Sequence, residues 1–255
     1  GKWHLGTETY YYPDHQGFDL VGGGLIHRVS CPNTYRRPDD MTVEEYTDHL
    51  VDEFKAKVEE LGADNVGAFF AEPIMGAGGV MVPPAGYLKR IRECCRDNEI
   101  LFVADEVVTA FGRLGHFFAS EDVFGIDPDF ISSAKGLTSA YSPLSASIFT
   151  EAVYDVISVP QSDGALFTHG FTYSGHPVSC AAGLANIAIR EREDICGHVR
   201  KVGPYLEKQL AGLSDLPIVG DVRGSHFMMC VENVANKETK ELFDPEVAIG
   251  YRIAD

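Results

Sequence analysis

Three short apolar runs, "VGAFFAEP", "ILFVADEV" and "DPDFISSAKG", each close on a charged residue: Glu72, Asp105 and Lys135 in turn. Runs this short, rich in Phe, Val and Ile and bounded by turn residues, read as buried strands. Between the first and the second lies "AGYLKRIRECCRDN", an amphipathic helix with Pro84 near its first turn. Strands alternating with helices imply an α/β fold, a mainly parallel sheet with helices on both faces. Ligands bind such sheets beyond the carboxyl ends of the strands, so two carboxylates and an amine are expected to converge on one crevice. Gathering them there without a ligand would be costly.

The rest of the chain fits the same scheme. In "MTVEEYTDHLVDEFKAKVEELG", Thr42 and Glu45 form a capping box, Tyr46, Leu50, Phe54, Val58 and Leu61 form an apolar stripe, and Gly62 is a stop. "PLSASIFT" supplies another strand, and "HPVSCAAGLANIAIRERED" a helix of small residues suited to close packing. Residues 1–40 read as an irregular segment of a large domain, and 41–190 as its ligand-binding body. Residues 191–255 read as the start of a small C-terminal α+β domain: the helix "HVRKVGPYLEKQLAGL", the strand-like "GDVRGSHFMMCVE" and the charged "NKETKELFDPE".

Charge narrows the partners. With 38 acidic residues against 21 basic, the formal charge of −17 repels phosphate backbones and anionic lipid, so neither nucleic acid nor a membrane is expected. No apolar stretch approaches the roughly 18 residues of a membrane span, and "GKWHLGTETYYYPDHQG" has no secretory leader pattern; a cytoplasmic location is the default expectation. The six cysteines show no C-x-x-C pair and read as reduced, packed thiols. His169 and His176 beside Asp105 and Glu106 lack metal-site spacing, so no metal is expected. The glycines of "MGAGGVMVPP", Gly76, Gly78 and Gly79, lack the P-loop Lys and Ser/Thr and read as a tight strand-to-helix loop. "YYY" at 10–12 reads as core or interface packing. Arg113 reads as a loop-bracing residue, with a direct role at the site or interface as the alternative.

The strand-end residues suggest a particular chemistry. A partly desolvated lysine is a competent Schiff-base nucleophile, and an aspartate can hold a proton on a pyridine nitrogen by ion pairing. Together these are the protein's contributions to a pyridoxal-phosphate (PLP) site. A strand end holds the amine rigidly within the distance and angle that covalent exchange needs.

"FFAEPIMGAGGVMVPPAGYL", "LFVADEVVTAFGRLGHFFA", "DPDFISSAKGLTSAYSPLSA" and "THGFTYSGHPVSCAAG", in this order, resemble class III aminotransferases, especially the ω-amino acid or amine:pyruvate branch. The resemblance runs from about residue 41 to the end. It implies a fold-type I PLP enzyme working as a homodimer with shared active sites, on a small-molecule amine or amino acid and a keto acid. By position, Lys135 would form the Schiff base, Asp105 would pair with the pyridine nitrogen, and Val107 would pack on the ring face. Thr172 would reach the phosphate of the neighbouring subunit's cofactor, and Glu72 matches a second-layer or gating carboxylate. Met75 stands where many members have Gln, which bears on the substrate.

In the implied mechanism an incoming amine displaces Lys135, and the freed lysine moves a proton between the substrate carbon and the cofactor carbon. Hydrolysis releases the carbonyl product, and a keto acid such as pyruvate reverses the steps. The family's Gly-Ser-Glu-Ala phosphate loop, ring-stacking aromatic and substrate-carboxylate Arg have no counterpart in the sequence. The chain is therefore expected to be an internal, inactive fragment of a longer transaminase. A non-catalytic folding or interaction module is the alternative, as is a PLP-dependent aminomutase or decarboxylase on the same fold.

Overall fold

The computed structural model describes residues 26–158 and 170–254. The tyrosine triplet and His169 lie outside them. Helix α1 (Val43–Leu61) starts as its sequence predicts: the Thr42 hydroxyl accepts from the Glu45 N–H at 3.2 Å, and the Glu45 carboxylate accepts from the Thr42 N–H at 2.8 Å. Tyr46, Leu50, Phe54 and Val58 are buried, and Gly62, at φ 77°, ends the helix. Strand β1 (Ala68–Ala71), helix α2 (Tyr87–Asp97) and strand β2 (Leu101–Asp105) follow. The short helix α3 (Ala119–Asp122), strand β3 (Phe130–Ser133), strand β4 (Ala146–Phe149) and helix α4 (Glu151–Ile157) come next. Helix α2 begins later than its proline suggests. Gly86, at φ 81°, is its N-cap, and Pro84 lies upstream, where its carbonyl accepts from the Tyr87 N–H at 3.1 Å.

These strands form one four-stranded sheet in the order β1-β2-β3-β4, with β1, β2 and β3 parallel and β4 antiparallel to β3. The result is the mixed α/β arrangement with a mainly parallel sheet that the alternating pattern implies. Parallel pairing has one consequence for function: the carboxyl ends of β1, β2 and β3 share an edge. On one face, Phe69, Phe102 and Ile131 pack under α1 and α2, with Phe54 and Phe69 ring centroids 5.0 Å apart. Each such side chain, once buried, contributes about 1.5–3 kcal/mol. On the other face, Phe70 is 72% and Leu101 38% exposed.

Helix α2 is fastened to the sheet by a buried ion pair. The Arg92 guanidinium donates to both oxygens of Asp129, at 2.8 and 3.1 Å. The same carboxylate accepts from the Phe102 N–H at 2.7 Å, so one aspartate serves α2, β2 and the approach to β3.

Beyond the sheet, α5 (Pro177–Arg192) and α6 (Ile195–Ala211) precede the strands β5 (Val219–Ser225) and β6 (Met228–Asn233), and α7 is Ile249–Ala254. The strand-like "GDVRGSHFMMCVE" is thus an antiparallel hairpin, folded at His226, whose φ is 50°. Glu207 of α6 accepts from the His226 N–H and holds that turn. No described helix is long and apolar enough to cross a membrane.

Glu232 of β6 is gripped by two arginines. Arg36 donates to it from Nε at 3.0 Å and Arg223 at 2.5 Å, while Arg223 also donates to the Gly79 carbonyl from Nε at 2.9 Å. The Gly-rich loop is therefore braced against the hairpin. Burial opposes ionisation of Glu232, but the hydrogen bonds and charges of Arg36 and Arg223 outweigh it and hold the carboxyl below its ordinary 4.5. A depressed folded-state value stabilises above the unfolded value and is lost as pH falls through the folded one. The urea midpoint of the wild type minus that of Glu232→Gln is expected to be constant near neutrality and to shrink below pH 4.5. A difference that grew in acid would contradict this.

Candidate active site

Strand β2 ends at Asp105, which stands opposite Ser132 of β3. The Asp105 carboxylate accepts from the Val107 N–H at 3.1 Å, fixing the first turn of the loop that follows. Glu106 extends the ladder by one step, its N–H donating to the Ser132 carbonyl at 2.8 Å. Its side chain is fully buried, yet no lone pair is wasted. It accepts from the N–H groups of Ala119 at 2.7 Å and Ser120 at 2.8 Å, and from the hydroxyls of Ser120 at 2.6 Å and Thr109 at 3.0 Å. This carboxylate shapes the whole loop from 106 to 120. Its position inside an apolar run was the available signal, because a buried charge must be fully partnered.

Strand β3 ends at Ser133, and Lys135 opens a tight turn over Lys135–Leu137. Its φ is 40°, the left-handed region, which costs an L-residue about 1–2 kcal/mol. Gly136 follows for reasons of space: a Cβ there would lie 2.9 Å from the Cβ of Phe111. The turn thus packs directly on the loop that starts at Asp105.

Lys135 and Val107 line one cavity of about 260 Å³, together with Phe111, Arg113, Arg190 and His198. Lys135 itself is exposed. The strand-end reading expects partial desolvation; the chain instead leaves β3 two residues early and carries the lysine outward. Asp105 is not among the lining residues but is hydrogen-bonded to one of them, Val107. Arg113 donates to the Phe227 carbonyl at 3.2 Å, docking the hairpin turn on the loop.

Glu72 follows β1 at the same sheet edge, and its Oε2 accepts from the Gly76 N–H at 2.9 Å. It does not line the cavity. Met75 pairs with Met81 in an antiparallel bridge, and the Cys31 thiol lies 3.5 Å from its sulfur. Thr172 is not brought to the cavity either. It sits in an exposed turn before α5, between Phe171 and Tyr173, which are 76% and 80% exposed.

A family model described as aminotransferase class-III matches residues 24–252. Over 251 residues the chain is 43% identical to an uncharacterized aminotransferase, y4uB, of Sinorhizobium fredii, covering 97% of this chain and 53% of that protein. It is 40% identical over 238 residues to the mitochondrial gamma aminobutyrate transaminase 1 of Solanum lycopersicum, covering 92% and 46% respectively. Among solved structures, the omega transaminase of Pseudomonas jessenii in complex with PMP superposes with a TM-score of 0.83 at 39% identity, covering 91% of this chain and 51% of that one. The chain spans about half the length of the curated relatives it matches. The family match covers the sheet, the loop from Asp105 and the Lys135 turn alike, and on it the chain belongs to the class-III aminotransferases.

Proposed function

We propose that the full-length protein is a PLP-dependent transaminase that moves an amino group from an amine or ω-amino acid to a keto acid such as pyruvate, acting as a homodimer. Residues 41–190 would form its cofactor-binding domain and 191–255 the start of a smaller one. One observation carries the reading. Parallel neighbours β2 and β3 end at one edge, so Asp105 and the turn bearing Lys135 adjoin, with Val107 and Lys135 on one cavity.

The residues present suit the cofactor. When bound, PLP supplies an electrophilic carbonyl and an electron-withdrawing pyridine ring. Lys135 offers the primary amine for covalent attachment. When not attached, the same amine would be the group that holds and moves a proton at the substrate carbon. Asp105 would keep a proton on the pyridine nitrogen, and its Val107 partner would press on the ring face. Glu72 would act one layer out, through the loop at Gly76. Thr172, exposed here, would reach the cofactor phosphate of a second copy.

Borohydride reduction of the PLP-loaded full-length protein, followed by peptide mapping, should place the label on Lys135. A label on any other lysine, or none, would reject the assignment. An amine-to-pyruvate assay on the same protein tests the acceptor.

A further inference from the structure

We propose that Arg190, assisted by Asn186, is a positioning residue that ties the loop carrying Asp105 and Val107 to the turn carrying Lys135. The inference rests on the transaminase reading for its purpose, but its geometry stands independently.

Asn186 and Arg190 lie four residues apart on α5 and so share one face of that helix. The Asn186 amide donates to the carbonyls of Gly136 and Leu137, each at 2.9 Å, and its oxygen accepts from the Ser139 hydroxyl at 2.9 Å. Arg190 donates to the same Gly136 carbonyl at 3.1 Å and to the Ser139 hydroxyl at 3.1 Å. Its other terminal nitrogen donates to the carbonyl of Phe111, in the loop that begins at Asp105. One guanidinium therefore spans both loops.

The segments it joins need holding. Phe111, Lys135, Ser139 and Ala140 all have positive φ, at 59°, 40°, 51° and 66°, although none is glycine. Such conformations persist only where surrounding structure over-determines them. Here one helix face supplies the side-chain hydrogen bonds to Phe111, Gly136, Leu137 and Ser139. Arg190 is also used unusually for a half-buried cation: its terminal nitrogens meet main-chain and hydroxyl oxygens, and its Nε is buried with no partner among the described residues. A fixed planar fork holds two carbonyls at a set spacing and loses less freedom per hydrogen bond than a flexible ammonium does. Arg190 lines the same cavity as Lys135, so movement of its grip is movement of the cavity wall.

The test compares wild type, Arg190→Met and Asn186→Ala in the full-length protein, first without cofactor, by amide hydrogen exchange, then by the rate at which added PLP becomes reducible onto Lys135. In Arg190→Met, exchange over residues 135–140 should rise by at least about tenfold, the equivalent of one or two hydrogen bonds lost. Attachment should slow by about 10- to 100-fold, the effect of roughly an ångström of misplacement. Asn186→Ala should show the same pattern more weakly, and Arg190→Lys should recover only part of the loss.

Exchange and attachment both within twofold of wild type in Arg190→Met would overturn the proposal. Should Arg190→Met raise exchange throughout the chain, Asn186→Ala decides: a rise confined to 135–140 supports the tie, and no rise there rejects it. Failure of wild type itself to attach PLP at Lys135 would sink the transaminase reading, while the exchange comparison still decides the tie.

Discussion

Lys135→Ala is expected to lower transamination by the full-length protein by about 10⁴-fold or more, with its unfolding midpoint close to that of wild type. The size follows from the two duties placed on one amine. Positioned proton transfer alone contributes roughly 10²–10⁴-fold, and loss of covalent exchange adds to it. The small effect on stability follows from exposure: the side chain covers little apolar surface. Alanine at a left-handed φ of 40° keeps the backbone cost that lysine already bears. Single-turnover measurement of the amine half-reaction is the direct check. Activity within tenfold of wild type would remove Lys135 from the mechanism, however well the fold matched.

Asp129→Ala should destabilise the protein by about 3–5 kcal/mol, the range for removing one partner of a buried pair. The side chains of Arg92 and Asp129 are 11% and 19% exposed, so the guanidinium would have little access to water and would keep only the exposed Asp127, 3.6 Å from its Nε. The loss is compounded because the Phe102 N–H, in the middle of the buried face, gives up its acceptor as well. A neighbouring pair supplies the control. Arg96 and Asp127 meet at 2.9 Å but are 57% and 71% exposed. Asp127→Ala should therefore cost only about 0–1 kcal/mol. Equal urea midpoints for the two variants would show that burial does not decide between these pairs.

How much of this was legible in the sequence depends on how local the cause is. Helix α1 could be read completely, because its capping box, apolar stripe and terminal glycine all lie within its own residues. The same holds for β1, β2 and β3 and for the edge they share. What escaped reading is set from a distance. The hairpin folds at His226 without a glycine pair to announce it, and a glutamate of α6, 19 residues earlier, supplies the restraint. Besides Thr109, the residues gripping Glu106 are 13 and 14 positions on. The Lys135 turn is shaped by Asn186 and Arg190, about fifty positions on, in a helix whose sequence speaks only of small residues and close packing. A lysine at a strand end can be seen in a string of letters; the left-handed twist that aims it cannot.

The contact between Arg36 and Glu232 spans 196 positions, and Lys240 meets Asp39 across 201. Closing so long a loop costs roughly 2–3 kcal/mol more chain entropy than closing one of ten residues, so these links come late in folding. A nascent polypeptide leaving the ribosome can build α1 and the first strands at once. The stretch around Arg36 must wait, its guanidinium in water, until the 196 positions that lead to Glu232 have been synthesised.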